Sequence, residues 1–358
     1  MKIIHVADLH LNSRLETLPT EKAKIRRDEL LRNFERLCEF AKINDVKAVI
    51  LAGDVFDTSN NSSKVKTRFL SAIKNASTVD FLYLKGNHDD GEIFNENDIL
   101  PDNLKFFGDE WSSFEYENLC IKGVNFTATN NKLVYDSLTN DFNKLNIVVL
   151  HGQTAAYNSS DGFYVVNLPK LKEKGIDYLA LGHVHARSLE KLDGRGVYAY
   201  SGAFDGRGFD ELGEKGFYLL ETDKDIQPEF ITFSSRVLYE FEFSTNGYDD
   251  FYALKGEIVR KLKSEVESKS LIKVILKGEI GINFHVDADS LSRELNELFF
   301  YAKVYDKTSL KVNETDFEFD KTVRGEFVRK VLASDITDDM KKRVISCGLN
   351  ALKGEELL

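Results

Sequence analysis

Five short apolar runs, Lys2–Ala7, Ala48–Ala52, Phe81–Leu84, Ile147–Leu150 and Tyr178–Leu181, each end at a polar cluster that carries Asp or His. Continuous apolar character over so few residues reads as a buried strand. Between the first three, apolar residues recur at helical spacing: Leu30, Phe34, Leu37 and Ala41 within about Glu21–Ile43, then Val65, Phe69 and Ile73. Strand and helix in alternation predict a layered α/β domain. Ligands in open α/β sheets bind outside the carboxyl ends of the strands, which is where all five clusters fall.

The rest of the chain is less regular. Short strands run from about Phe106 to Phe126, and a helix around Leu168–Lys174 precedes the fifth apolar run. Segments near Val197–Tyr200, Gly216–Glu221 and Glu229–Phe233 read as antiparallel strands. From residue 236 the pattern changes to strand Val237–Phe243, a charged helix from Tyr248 to about Val266, strand Leu271–Leu276, helix Ala288–Phe299 and strand Tyr301–Tyr305. Two helices follow from about Thr322. Thr337 caps the second, Asp338 and Asp339 complement its dipole, and Met340, Val344, Cys347 and Ala351 line one face. The expected organisation is a first domain over residues 1–235, a small α+β module over 236–315 and a helical segment over 316–358.

With 358 residues, 42% of them hydrophobic and 30% charged, the chain reads as a globular protein with more than one core. No apolar run approaches a membrane span and the chain opens directly on a strand, so the cytoplasm is the expected compartment. Cys38, Cys120 and Cys347 are far apart and lack CxxC spacing, which predicts buried, reduced thiols. A net charge of −11 argues against a freestanding basic nucleic-acid binder. It does not exclude an enzyme whose bound cations invert the local field, or whose partner supplies a basic surface.

The clusters are Asp8-x-His10, Asp54-x-x-Asp57, Asn87-His88-Asp89, His151 and His183-x-His185, and they hold five of the seven histidines. Imidazole and oxygen donors without thiolate suit Mn²⁺, Fe²⁺ or Zn²⁺, and are too rich in histidine for Ca²⁺ or Mg²⁺. The clusters offer more ligands than one ion takes. Two ions sharing a carboxylate would polarise a phosphoryl group from both sides and lower the pKa of a bridging water. Phosphoester hydrolysis by direct water attack is therefore the expected reaction.

The order D-x-H, G-D-x-x-D, G-N-H-D, H-G, G-H-x-H, from Asp8 to His185, resembles the calcineurin-like metallophosphoesterase superfamily, and within it the bacterial SbcD- and YhaO-type DNA-repair exonucleases. The segments Gly202–Asp210, Arg324–Val328 and Gly348–Leu352 are similar to YhaO-type counterparts. The resemblance implies a four-layer α/β/β/α sandwich with a small cap, and exonuclease action on DNA ends with some single-strand endonuclease activity. It implies two divalent ions, Mn²⁺ ahead of Fe²⁺ or Zn²⁺. Asp8, His10, Asp54 and His185 would hold one; Asn87, His151, His183 and the bridging Asp54 would hold the other. His88 would lie beside the scissile phosphate, with Asp89 behind it as its orienting partner. Archaeal relatives carry a histidine where this chain has Asp57, so Asp57 is expected around the site and not on a metal.

An SbcC-like coiled-coil ATPase docked on the C-terminal helices, and a homodimer, are the partners the resemblance implies; no membrane association is expected. The same ligands would also serve small phosphodiesters or nucleotides, and a non-catalytic scaffold for the ATPase is a third reading. Three further marks are read apart from the motifs. His5 is expected as a buried, hydrogen-bonded core residue. Arg187 and Arg207, the latter between Gly206 and Gly208, suit either a phosphate backbone or an ordinary turn.

Overall fold

The computed structural model describes residues 1–57, 62–89, 93–95, 97–154, 164–248, 250–281, 284–311, 317 and 319–353. In chain order the elements of the first part are β1 (Lys2–Val6), α1 (Thr20–Ile43), β2 (Val46–Ala52), α2 (Ser63–Asn75), β3 (Asp80–Leu84), β4 (Leu104–Phe106), β5 (Ser112–Tyr116), β6 (Leu119–Gly123) and α3 (Val134–Ser137). They continue with β7 (Leu145–His151), β8 (Gln153–Thr154), β9 (Val165–Val166), α4 (Leu168–Leu171), β10 (Tyr178–Gly182), β11 (Ser188–Lys191), β12 (Val197–Tyr200), β13 (Gly216–Glu221) and β14 (Gln227–Thr232). Next come β15 (Leu238–Ser244), α5 (Phe251–Glu265), β16 (Leu271–Ile280), α6 (Ala288–Leu298), β17 (Tyr301–Leu310), α7 (Val323–Leu332) and α8 (Asp338–Lys353). The chain forms two compact units, Met1–Leu238 and Tyr239–Leu358.

The first unit holds two six-stranded sheets, ordered β14-β13-β1-β2-β3-β4 and β11-β12-β10-β7-β6-β5. Strands β1 to β4 pair in parallel, as do β6, β7, β10 and β12, so the apolar runs deliver their carboxyl ends to a common edge of each sheet. Ile3, Ile50, Leu82 and Ala52 of the first sheet pack with Ile121, Ile147, Val149 and Ala180 of the second in one buried cluster. The two sheets therefore meet face to face.

Helices cover the outer faces. Phe34 of α1 stacks on Phe69 of α2 with centroids 4.6 Å apart and meets Phe81 of β3 edge-on at 6.3 Å. All three rings are buried, each contributing about 1.5–3 kcal/mol. On the far side Val148, Leu150, Leu179 and Leu181 pack with Tyr135 of α3 and Leu171 of α4. The layering is α/β/β/α. The helix expected over Leu168–Lys174 is only the single turn α4, which begins on an Asn167 cap with Pro169 in its first turn.

In the second unit β15, β16 and β17 form a three-stranded sheet, with β16 and β17 parallel across α6. Leu254, Ile258 and Leu262 of α5 and Leu291 and Leu295 of α6 pack on Ile272, Val274 and Leu276. Helix α5 starts at Phe251, where the Asp250 side chain accepts the Ala253 N–H, and not at Tyr248.

The Thr337 hydroxyl accepts the Met340 N–H at the start of α8. On α8, Ile345 and Leu349 are buried against Val328 and Val331 of α7 with Val344 partly buried beside them, while Met340, Cys347 and Ala351 of the apolar set face solvent. Amphipathic spacing gives a stripe, but the partner helix decides which stripe is covered. Cys38 and Cys120 are buried thiols; Cys347 is exposed, against the expectation. Among the described residues no helix is long and apolar enough to cross a membrane.

Candidate metal centre

The five polar clusters meet at the strand ends. Asp8, His10, Asp54 and His183 all sit at positive φ, between 42° and 95°, a conformation that L-residues adopt only where their surroundings impose it. Main-chain bonds impose it here. Asp8 N–H donates to the Gly53 carbonyl at 3.1 Å, His10 N–H to Asp54 at 2.9 Å and Leu11 N–H to Val55 at 2.9 Å, which laces the first two loops together. His183 N–H donates to both Asp8 oxygens, at 3.0 and 3.2 Å, and His88 N–H to Asp54 Oδ1 at 2.8 Å.

Two glycines let these loops approach. Gly53 lies at φ +91°, and a Cβ there would stand 2.1 Å from His151 Nδ1. At Gly86 a Cβ would fall 2.2 Å from Asp54 Oδ1.

Donor atoms of Asp8, His10 and His185 lie within 4.8 Å of one another, as do those of Asp54, His151 and His183. His10 Nε2 and His185 Nε2 face each other at 3.2 Å. Asn87 Oδ1 stands 3.0 Å from His151 Nε2 and 2.8 Å from His183 Nδ1. Asp54 Oδ2 lies between the triads, 3.7 Å from His10 Nε2 and 3.4 Å from His151 Nε2.

These residues fit divalent ions. Two ligands at about 2.0–2.1 Å from one ion and roughly 90–110° apart are separated by about 2.9–3.4 Å, close to the 2.8–3.4 Å of the His10–His185, Asn87–His151, Asn87–His183 and Asp54–His151 pairs. His151 Nδ1 faces the Ala52 carbonyl at 2.9 Å, so its N–H is spent there and Nε2 turns a lone pair toward the oxygens of Asn87 and Asp54. Lone pairs that converge in a buried site require a cation or a proton between them. His10 Nδ1 is also buried, with no hydrogen-bond partner among the described residues.

In the metal-free protein protons fill this role. Burial opposes charge on His151, yet Asp54, Asp8 and the Ala52 carbonyl outweigh it and raise its pKa to about 9. Of the two carboxylates, burial pushes Asp8 up. Burial pushes Asp54 the same way, but His151, His10 and the His88 N–H hold it below the usual carboxylate range. His10 is held well below the ordinary histidine value, first by burial and then by Arg207.

His88 is exposed, with its ring 4.8 Å from that of His10, and Asp57 joins these two in a third group of donors within 4.8 Å. Asp89 lies beside His88 in the chain and is bonded to both neighbouring loops. Its buried carboxylate accepts the N–H groups of Val55 at 3.2 Å, Phe56 at 2.9 Å and Gly86 at 3.0 Å. It thereby ties the Asp54 loop to the Asn87 turn. Its pKa rises to about 6, chiefly through burial and then through Asp54, while the three N–H groups oppose the shift.

The arginines considered for phosphate are engaged elsewhere. The Arg187 guanidinium lies over the Phe230 ring at 4.1 Å, and Arg207 donates to Glu211 at 2.7 Å. His5 is buried against the Tyr178 hydroxyl at 2.9 Å. Glu211, which the motifs do not include, accepts from His185 Nδ1 at 2.8 Å. Its one sequence signal is the spacing of four residues from Arg207.

A family profile for calcineurin-like phosphoesterases matches residues 1–187, just over half of the chain and every cluster of the site. The chain belongs to the calcineurin-like phosphoesterase family. It is thus a metal-dependent phosphoester hydrolase, and the His/Asp triads are its divalent-metal donors as a set. Among similar proteins, this phosphoesterase is 25% identical over 341 residues to the "DNA double-strand break repair protein Mre11" of Saccharolobus solfataricus, covering 88% of this chain and 85% of that one. It is 27% identical over 248 residues to the uncharacterized metallophosphoesterase YhaO of Bacillus subtilis, covering 64% and 60% of the two chains. With a subunit of the nuclease SbcCD of Escherichia coli it shares 33% identity over 103 residues, 28% of this chain and 24% of that one.

Proposed function

We propose that this phosphoesterase is a two-metal exonuclease that hydrolyses phosphodiester bonds at DNA ends during repair. The observation that carries the reading is Asp54 Oδ2, within 3.7 Å of a nitrogen from each donor triad and so suited to serve both ions. Relatives named as a break-repair protein and a nuclease supply the substrate class. In this reading Asp8, His10, Asp54 and His185 hold one ion, and Asp54, Asn87, His151 and His183 the other, with Mn²⁺ preferred over Fe²⁺ and Zn²⁺.

When bound, two divalent cations polarise a phosphodiester from both sides and lower the pKa of water between them. The side chains do the remainder. His88, the exposed imidazole at the rim, meets a non-bridging oxygen or gives its proton to the leaving oxygen. Asp57, grouped with His10 and His88, holds the His88 ring in that pose. The second unit acts as a cap that limits which part of a duplex reaches the metals. The solvent-facing Met340, Cys347 and Ala351 of α8 support docking of a coiled-coil ATPase of the SbcC kind, which would also supply the basic surface that a chain of net charge −11 lacks.

Metal-stripped protein given Mn²⁺ is expected to shorten a labelled duplex with recessed ends, with a rate that falls steeply with salt. Turnover of a chromogenic small diester without any of the duplex would overturn the nuclease assignment; turnover of neither would leave a scaffold. His88→Ala is expected to keep both metals and lose about 10²–10⁴ in rate. A chain ending at Thr322 is expected to lose the ATPase while still cutting DNA; continued co-purification would remove the helices as the docking element.

A further inference from the structure

His185 has two neighbours competing for the same nitrogen. Glu211 Oε1 stands 2.8 Å from Nδ1, and Arg207 Nη2 stands 3.2 Å from it. The two neighbours also bind each other. Arg207 Nη2 donates to Glu211 Oε1 at 2.7 Å, its Nε to the same oxygen at 3.1 Å, and its main-chain N–H to Glu211 Oε2 at 2.8 Å. The Glu211 side chain is 2% exposed, so its charge is committed to these partners.

The segment that carries both residues is firmly held. Arg26, fully buried in α1, donates to Asp205 Oδ1 at 2.8 Å and to the Gly206 carbonyl at 2.7 Å, and Ser235 N–H donates to Asp205 Oδ2 at 3.0 Å. Glu211 N–H closes the turn on the Gly208 carbonyl at 2.9 Å.

We infer that Glu211 is a positioning residue that selects the metal-binding tautomer of His185 against Arg207. The inference rests on His185 being a metal ligand. A neutral imidazole carries one proton, and the nitrogen without it is the one that can ligate. With Glu211 present, Nδ1–H donates to Oε1 and Nε2 keeps its lone pair, directed toward His10 Nε2 at 3.2 Å. Without Glu211, Arg207 loses the carboxylate that its Nη2 and Nε donate to, and its Nη2 donates to Nδ1 instead. The proton then sits on Nε2 and points into the site, where it blocks ligation. Glu211 also offsets the guanidinium charge, which otherwise repels a cation close by.

This differs from an ordinary supporting carboxylate because it predicts a suppressor. Metal affinity and stoichiometry are measured by calorimetric titration of the metal-stripped full chain with Mn²⁺, alongside nitrogen NMR of ¹⁵N-labelled histidines in the metal-free form. Glu211→Ala is expected to weaken one of two sites about 10–100-fold and to move the His185 signals to the Nε2–H pattern. Glu211→Gln, which keeps an acceptor oxygen and the same shape, is expected to lose less. Adding Arg207→Ala to Glu211→Ala is expected to recover much of the affinity and to restore the Nδ1–H pattern.

Wild-type affinity in Glu211→Ala would overturn the proposal. So would a double variant as weak as or weaker than the single one, which is what a purely structural role predicts. His185→Ala tests the premise separately: two sites of unchanged affinity there would show that His185 is no ligand, whatever Glu211 does.

Discussion

The two donor triads lie side by side and are built by different means. Around Asp54, Asn87, His151 and His183 the support is main chain: the Ala52 carbonyl on His151 Nδ1, the His88 N–H on Asp54 Oδ1, and glycine where a Cβ has no room. Around Asp8, His10 and His185 the support is mixed: the His183 N–H holds both Asp8 oxygens, but His185 is held by the side chains of Glu211 and Arg207. A carbonyl cannot be removed by substitution, whereas a carboxylate can be replaced, neutralised or outcompeted. The Asp54 side should therefore tolerate almost no change in shape, and the His185 side should be chemically adjustable.

Gly53→Ala gives the largest expected effect. The new Cβ would stand 2.1 Å from His151 Nδ1, and the backbone holds φ +91°, so strain and clash add. A loss of about 3 kcal/mol or more in urea-induced unfolding of the metal-free protein is expected. Titration should show the His151 triad abolished while the His185 triad still binds. Two intact sites in this variant would break the contrast between the halves.

Asp89→Asn comes next. The carboxylate takes N–H bonds from Val55, Phe56 and Gly86, and an amide replaces one acceptor oxygen with a donor aimed at donors. About 2 kcal/mol of stability should be lost, read as a shift of the denaturation midpoint. Because Asp89 joins the Asp54 loop to the Asn87 turn, metal affinity should fall more at the His151 triad, which takes both Asp54 and Asn87, than at the other, which shares only Asp54. An equal fall at both would mean that the triads share one support.

Much of this site was legible from the residues because strand ends are legible. Apolar runs marked the strands, and donor chemistry marked the loops after them, so Asp8, His10, Asp54, His88 and His151 could be named without coordinates. Glu211 and the bonds of Asp89 to the Asp54 loop could not. Both residues act by hydrogen bonds to atoms 26–34 residues away in the chain, and neither sits in a pattern of its own. An acid in a Gly-Arg-Gly turn looks like any solvated loop. The same limit explains α8: its period was readable, but Ile345 and Leu349 are the buried face because α7 presents Val328 and Val331 there. Pairing across elements is tertiary information, and one sequence carries it only where chemistry makes it conspicuous.

A pH dependence, graded and reversible where the substitutions are not, sharpens the contrast through a proton. In the metal-free protein His151 is raised from 6.5 to about 9: burial lowers it, and Asp54, Asp8 and the Ala52 carbonyl more than reverse that. A raised folded-state pKa means that the charged imidazole stabilises the metal-free fold fully below the unfolded value. That contribution declines as pH rises from about 6.5 and is lost through about 9. Metal binding has the opposite slope. The ion needs the Nε2 lone pair and must displace the proton, so affinity at this triad should climb about tenfold per pH unit and level off near pH 9. Calorimetry in buffers of different ionisation enthalpy should count one proton released from His151 at pH 7. His10, held well below the ordinary histidine range, has none to release there. A melting temperature of the metal-free protein that rises between pH 7 and 9, or an affinity flat over that interval, would remove His151 as the proton-bearing ligand. The main-chain carbonyl on its Nδ1 would then be supporting an imidazole that is already neutral.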